Sequence, residues 1–259
     1  MFHVKHRVLA VANQKGGVGK TTTAVSLAAA LAALERPVLL VDLDPQGNAT
    51  GGLGVDKAEL TRTTYDWLLG EAAFEEVARP TELPCLTLLP ANRDLVGAEV
   101  ELVGAERREF RLKERLAGVK GRFEYVLVDC PPSLGFLTLN ALAAADGLLL
   151  PIQCEYYALE GVSELLATME RVKESLNPAL EVAGVVPTMW DERTNLSRQV
   201  LDEIRKHFGD RVFRTPVPRS VRLAEAPSFG KPILLYDARS RGAEAYLAIA
   251  REMLRRDAR

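Results

Sequence analysis

A chain of 259 residues can form one large α/β domain or two small ones and is long enough to bury a sizeable core. With 47% hydrophobic and 26% charged residues it has a globular composition that excludes a disordered polymer, and no apolar run reaches the roughly 18 residues of a membrane span. The formal charge of -2 hides an asymmetry: residues 190–259 hold 15 Lys and Arg against 10 Asp and Glu, a balance of +5, whereas residues 1–189 hold 18 against 25, a balance of -7.

The N-terminal "MFHVKHRVLAVANQKGG" passes into the first predicted strand, "VLAVA" at 8–12, too quickly to hold a signal peptide, so a cytoplasmic protein is expected. K-G-G-V-G-K-T-T follows at Lys15–Thr22 and opens an alanine-rich helix predicted over Lys20–Leu34. Gln14 stands where the strict pattern G-x-x-x-x-G-K-[ST] needs glycine, but strand, glycine loop and helix keep the order a phosphate site requires. Backbone N–H groups along Gly16, Gly17, Val18 and Gly19 can converge on phosphate oxygens, and the helix adds its positive end. Lys20 is expected to reach the β- and γ-phosphates of ATP and the Thr21 hydroxyl to bind Mg²⁺, with Thr22 beside it. Lys15 is a second lysine that this chemistry does not require.

"PVLLVDL" at 37–43 is the second predicted strand and places Asp42 at its end and Asp44 in the following loop, on the carboxyl edge where doubly wound folds bind ligands. Asp44 is the candidate to orient or deprotonate the attacking water; Asp42 is as consistent with turn capping. The stretch Gly51–Pro84 lacks periodicity and reads as a lid or a long surface excursion. "LTLLP" at 86–90 is a third strand and "YVLVDC" at 125–130 a fourth, the latter ending in Asp129 ahead of Pro131-Pro132, as suits a carboxylate that holds Mg²⁺. A helix over Leu134–Ala145, a strand "GLLLPIQ" at 147–153, a helix over Leu159–Leu176, a strand "VAGVVPTM" at 182–189, a helix over Asn195–His207, a strand "VFRTPVP" at 212–218 and a helix over Gly242–Arg255 complete the series. Continuous apolar strands alternating with helices predict a single α/β domain over 1–259, a doubly wound, mostly parallel sheet with helices on both faces. Cys85, Cys130 and Cys154 are odd in number and unpaired in spacing, so buried reduced thiols are expected.

Taken together, KGGVGKTT, DLDPQGN, VDCPPS, EYYALEG (Glu155–Gly161) and VRLAEAPSFGKP (Val221–Pro232) closely resemble the ParA/Soj chromosome-partitioning ATPases of the deviant Walker A class, essentially end to end. The resemblance implies a P-loop NTPase that hydrolyses ATP with Mg²⁺ and forms an ATP-dependent sandwich homodimer, in which Lys15 reaches the partner's nucleotide. It implies base contacts near Met189, Pro218 and Ser220, where the family usually has Asn at the last position and a hydroxyl cannot reproduce the amide's paired donor and acceptor. It also implies that the dimer binds non-specific double-stranded DNA through Arg193, Arg222, Arg219 and Lys231, in keeping with the basic C-terminal quarter, and associates with the nucleoid. Glu192 replaces the family's usual Gly and is expected to weaken the attraction of Arg193 for phosphate. A ParB-type centromere-binding protein is the implied partner that stimulates hydrolysis, and the lack of a helix-turn-helix extension before Val8 resembles the short chromosomal type.

Three rivals are weaker. A MinD-type membrane ATPase needs an amphipathic membrane helix, but "AYLAIAREMLRRDAR" ends in charges without a bulky aromatic anchor, so no membrane partner is expected. An iron-sulfur ATPase needs cysteines paired across a dimer axis, and a metabolic P-loop enzyme needs an acceptor pocket that no motif announces.

Overall fold

The computed structural model describes residues 6–156 and 160–258. Of the sequence expectations, the residues before His6, the start of the Leu159–Leu176 helix and the middle of the EYYALEG motif lie outside them. The strands are β1 (Arg7–Val11), β2 (Val38–Asp42), β3 (Arg79–Pro80), β4 (Leu86–Leu89), β5 (Tyr125–Asp129), β6 (Gly147–Gln153) and β7 (Glu181–Thr188). The helices are α1 (Lys20–Ala33), α2 (Asn48–Gly52), α3 (Thr64–Leu69), α4 (Phe74–Val77), α5 (Leu95–Glu101), α6 (Arg111–Ala117), α7 (Phe136–Ala144), α8 (Glu160–Ser175), α9 (Asn195–Phe208), α10 (Val221–Glu225), α11 (Ile233–Tyr236) and α12 (Arg241–Asp257).

Among the described residues the strands form one sheet in the order β3-β4-β2-β5-β1-β6-β7, parallel throughout except for β3 against β4. Because successive side chains on a strand point to opposite faces, each strand feeds two hydrophobic layers. Leu9, Leu40, Leu127 and Leu149 pack under α1, α11 and α12, while Ala10, Leu39, Val41, Val128 and Leu150 pack under α3 and α5 to α9. Both faces are covered, which is why the strands read as unbroken apolar runs.

Helix α1 shows how the sequence sets the packing. Its alanines and leucines are buried nearly all round, from Ala24 to Ala32, because the sheet lies on one side and Tyr246, Ile249, Ala250 and Met253 of α12 on the other. Fully buried leucines such as Leu27 and Leu31 contribute about 2 kcal/mol each. The helix ends where Glu35 turns left-handed at φ 59° and Pro37 begins the lead into β2.

The segment 212–218, expected as a strand, does not join the sheet. Among the described residues its backbone pairs with β7 and its extension in isolated parallel bridges, Val185 with Val212 and Trp190 with Pro218. Phe213 N–H and Val217 N–H do reach the carbonyls of Val185 and Pro187, but Pro216 and Pro218 have no N–H to continue the ladder. The stretch 51–84 is neither bare loop nor detached lid. It is folded into α3, α4 and the short β3, and it sinks Trp67, Leu68, Phe74 and Val77 into the core. The three cysteines are free; Cys130 and Cys154 are buried as expected, whereas Cys85 is half-exposed. No helix among the described residues is long and apolar enough to cross a membrane.

Candidate functional site

Sheet register brings the sequence motifs together. Val11, the last residue of β1, pairs with Asp129 at the end of β5, and Asp129 pairs in turn with Asp42 at the end of β2. The glycine loop therefore leaves the sheet beside both carboxylate-bearing strand ends, at the carboxyl edge.

The loop from Lys15 to Gly19 is tied down by its neighbours. Asn13 donates from its side chain to Pro151 O at 2.8 Å and accepts from Lys15 N–H at 3.0 Å, and the Thr188 hydroxyl donates to Val18 O at 2.8 Å. Gly17 and Gly19 have φ values of +75° and +89°, which side chains rarely adopt, and a Cβ on Gly16 or Gly17 would meet nothing among the described residues within 4 Å beyond its chain neighbours. The bare backbone thus faces open space, as a phosphate cradle requires. Lys20 is buried, its ammonium donating to Lys15 O at 3.1 Å. Burial lowers the Lys20 pKa while the charges of Asp129 and Asp44 oppose that shift. Thr21 and Thr22 follow on the first turn of α1, half-buried.

The two aspartates at the strand ends have different surroundings. Asp42 is fully buried and accepts from Thr50 N–H at 2.8 Å, the Thr50 hydroxyl at 2.7 Å and Asp44 N–H at 3.2 Å. Burial pushes its pKa up to about 6 in spite of those bonds. Asp129 is equally buried, yet among the described residues neither carboxylate oxygen makes a hydrogen bond of good geometry. Burial raises the Asp129 pKa well above the usual range, and the charge of Asp42 adds to the effect; Thr21 and Lys20 pull the other way. An unpartnered buried carboxylate is costly, and one beside a threonine hydroxyl is the hard-oxygen donor set that suits Mg²⁺, which binds through one or two protein ligands plus phosphates. Asp44 lies in the β2–α2 loop, where its carboxylate accepts from Gln46 N–H at 2.9 Å and its carbonyl from Gly47 N–H at 2.8 Å. Asp44 therefore does cap a turn, with its side chain at the edge of the same cluster.

Met189, Pro218 and Ser220, separated by up to 31 positions, line one pocket of about 200 Å³ together with Gly19, Thr22, Leu223 and Tyr246. The pocket adjoins the phosphate loop, and Met189 enters it from a left-handed conformation at φ 51°.

The four cations expected to meet DNA are at the surface, and each carries a carboxylate partner. Arg193 makes a bidentate pair with Asp191 at 2.7 and 2.9 Å. Arg219 pairs with Glu155, Arg222 with Glu225 and Asp237, and Lys231 with Glu82. Glu192, expected to weaken the attraction of Arg193 for phosphate, pairs with Arg241 at 3.2 Å and its carbonyl accepts from Arg198, while Asp191 is the group that holds Arg193. Exposed pairs of this kind are worth about 0–1 kcal/mol and exchange readily.

Sequence reasoning missed the buttresses Asn13 and Thr188, the Thr50 contact with Asp42, and the arginines Arg198 and Arg241. Asn13 and Thr188 each lie within two residues of a motif, but only the fold shows that their side chains turn back onto the loop.

Comparison with known proteins adds relatives to this geometry. A family model described as an AAA domain matches residues 6–182. The chain is 56% identical over 256 residues to the chromosome-partitioning ATPase Soj of Thermus thermophilus, covering 99% of this chain and 98% of that protein. It is 55% identical over 251 residues to the chromosome partitioning protein ParA of Myxococcus xanthus, covering 97% and 89%. A solved structure named cobyrinic acid a,c-diamide synthase, from Mycobacterium smegmatis with a bound ATP analogue and magnesium, superposes with a TM-score of 0.85 at 44% identity over 96% of this chain and 94% of that one. The sheet and its covering helices are those of the MinD/ParA P-loop NTPase fold.

Proposed function

Since the chain belongs to the ParA/Soj family of chromosome-partitioning ATPases, we propose that it works as one Mg-dependent ATPase domain whose ATP-bound homodimer holds non-specific double-stranded DNA. Hydrolysis stimulated by a ParB-type centromere-binding protein then releases the dimer from the nucleoid. The observation that carries the reading is the meeting of the glycine loop, Lys20 and the unpartnered Asp129 at one sheet edge, within a chain that matches partitioning ATPases along nearly its whole length.

In this reading Lys20 and the amides of Gly16 to Gly19 bind the phosphates, Thr21 and Asp129 hold Mg²⁺, and the pocket of Met189, Pro218 and Ser220 takes the base. Bound Mg²⁺ neutralises charge on the phosphate oxygens. Asp44 orients the attacking water, and its proton has a carboxylate to move to. Lys15, half-exposed at the mouth of the loop, reaches the partner subunit's nucleotide, where a highly charged triphosphate favours a second ammonium. Arg193, Arg219, Arg222 and Lys231 exchange their carboxylates for DNA phosphates.

The test is retention of a non-specific duplex by the purified protein with ATP, with ADP and without nucleotide, across a salt series. Binding that appears only with ATP and falls steeply with salt is expected, since each phosphate contact releases counterions. Absence of ATP-dependent retention at low salt would remove the DNA-binding part. The synthase name of the Mycobacterium smegmatis neighbour motivates one alternative, a metabolic ligase. ATP turnover that requires a small carboxylic-acid acceptor and ignores DNA would favour it.

A further inference from the structure

Asp42 has no part in the chemistry described above, yet it is buried and makes three well-directed hydrogen bonds. One oxygen accepts from Asp44 N–H at 3.2 Å; the other accepts from Thr50 N–H at 2.8 Å and from the Thr50 hydroxyl at 2.7 Å. A single carboxylate thus grips both ends of the segment Asp44–Thr50, which carries the water-orienting residue. The Thr50 hydroxyl in turn accepts from Ala91 N–H at 2.8 Å, just beyond the end of β4, the strand that flanks β2. Its one donor and an acceptor site are both engaged, and Thr50 and Ala91 are fully buried. The same loop is pressed against Ala91 a second time: a Cβ on Gly47, at φ +61°, would lie 2.5 Å from Ala91 O. Gly47 N–H bonds to Asp44 O at 2.8 Å within the segment, and Gly51 N–H, one residue past it, to Gly47 O at 3.0 Å, leaving the segment little slack.

We infer that Thr50 is a positioning residue for ATP hydrolysis: its hydroxyl, clamped between the Asp42 carboxylate and the Ala91 amide, sets where the Asp44 side chain stands. The inference rests on Asp44 being the water-orienting group. Thr50 lies in α2 on a different element from the phosphate loop, and its buried hydroxyl is committed to protein partners. Its loss should therefore displace Asp44 and leave nucleotide binding in place. A displacement of about 1 Å in a reacting group can cost on the order of 100-fold in rate.

The experiment compares full-length Thr50→Val, which keeps the shape and the backbone N–H but removes the hydroxyl, with Thr50→Ser, Asp44→Ala and the double variant Asp44→Ala/Thr50→Val. Single-turnover ATP hydrolysis and equilibrium binding of a fluorescent ATP analogue are measured for each. The expected result is a fall of about 10- to 100-fold in the hydrolysis rate of Thr50→Val, nucleotide affinity within about threefold of the parent, near-parent rates in Thr50→Ser, and a double variant no slower than Asp44→Ala. A Thr50→Val rate equal to the parent's, a parallel loss of nucleotide affinity, failure of Thr50→Ser to restore the rate, or an extra loss in the double variant would each overturn the inference. If Thr50→Val yields no folded protein, Thr50→Ala carries the same comparison. Normal hydrolysis by Asp44→Ala would instead overturn the Asp44 assignment, and this inference with it; a slow Asp44→Ala beside a fast Thr50→Val sinks the inference alone.

Discussion

Individual residues at the carboxyl edge carry costs to stability that the proposed chemistry explains. Asp129 is the clearest case: it is buried beside the Thr21 hydroxyl with no hydrogen bond of good geometry among the described residues, and it faces the charge of Asp42. Removing that charge relieves the free protein and, in the proposed reading, removes a Mg²⁺ ligand, so Asp129→Asn should raise the unfolding midpoint of the nucleotide-free protein by the equivalent of about 1 kcal/mol. The same variant should lose the stabilisation that Mg-ATP gives the parent. Thermal unfolding with and without Mg-ATP decides the point, and an unchanged or lower midpoint without nucleotide contradicts the account of Asp129 as an uncompensated carboxylate. Two further substitutions separate binding from turnover. Lys20→Ala should abolish nucleotide binding in a direct titration, whereas Asp44→Ala should still assemble with ATP while its hydrolysis falls to a slow residual rate; normal turnover in Asp44→Ala would rule out its assigned role. That Lys20, Thr21, Asp44 and Asp129 gather at one sheet edge was foreseeable because their motifs sit at strand ends and the following loops. Thr50 was not, because its meaning comes from a carboxylate eight positions away and an amide 41 positions away.

At the scale of elements, apolar runs marked six of the seven strands to within about two residues, since a strand covered on both faces must be apolar throughout. The two exceptions have local causes. The segment 212–218 has strand-like composition but prolines where a ladder needs donors, and β3 is too short, at two residues, to leave a pattern. The irregular stretch 51–84 concealed core anchors, Trp67, Leu68, Phe74 and Val77 among them. Trp67 is 1% exposed, lies edge-on to Phe74 and stacks under Arg115. Trp67→Ala should therefore cost about 3–5 kcal/mol in a urea titration, and a loss under about 1 kcal/mol would mean that the segment packs loosely. A second junction joins the end of α2 to the loop after α10: Gly230 sits at φ +62°, and a Cβ there would lie 2.7 Å from Gly54 Cα. Gly230→Ala must both strain its backbone and push two main chains apart, at roughly 1–3 kcal/mol. The same titration should show it clearly less stable than the parent; a parent-like midpoint would mean that the junction yields freely.

For the whole molecule, nucleotide state should set assembly state through Lys15. Its backbone is fixed by Asn13 and Lys20 while its side chain is half-exposed, so Lys15→Ala should leave ATP binding in one subunit nearly intact and remove the dimer. Sedimentation velocity with ATP distinguishes the cases, and a dimer of parent strength would assign Lys15 to its own subunit's phosphates. Features that depend on neighbours along the chain are readable without a fold: the parallel α/β architecture, a glycine loop between strand and helix, the strand-end aspartates and the basic C-terminal quarter. Each of these is a matter of periodicity, local backbone geometry or composition. Only the tertiary structure decided which distant groups share a surface or a bond. It paired Arg193 with Asp191 and Glu192 with Arg241, gathered Met189, Pro218 and Ser220 into one pocket, and left Asp129 unpartnered while satisfying Asp42. The physical reason is that hydrogen bonds and ion pairs act over about 3–4 Å in space, and sheet register alone sets which distant residues come that close.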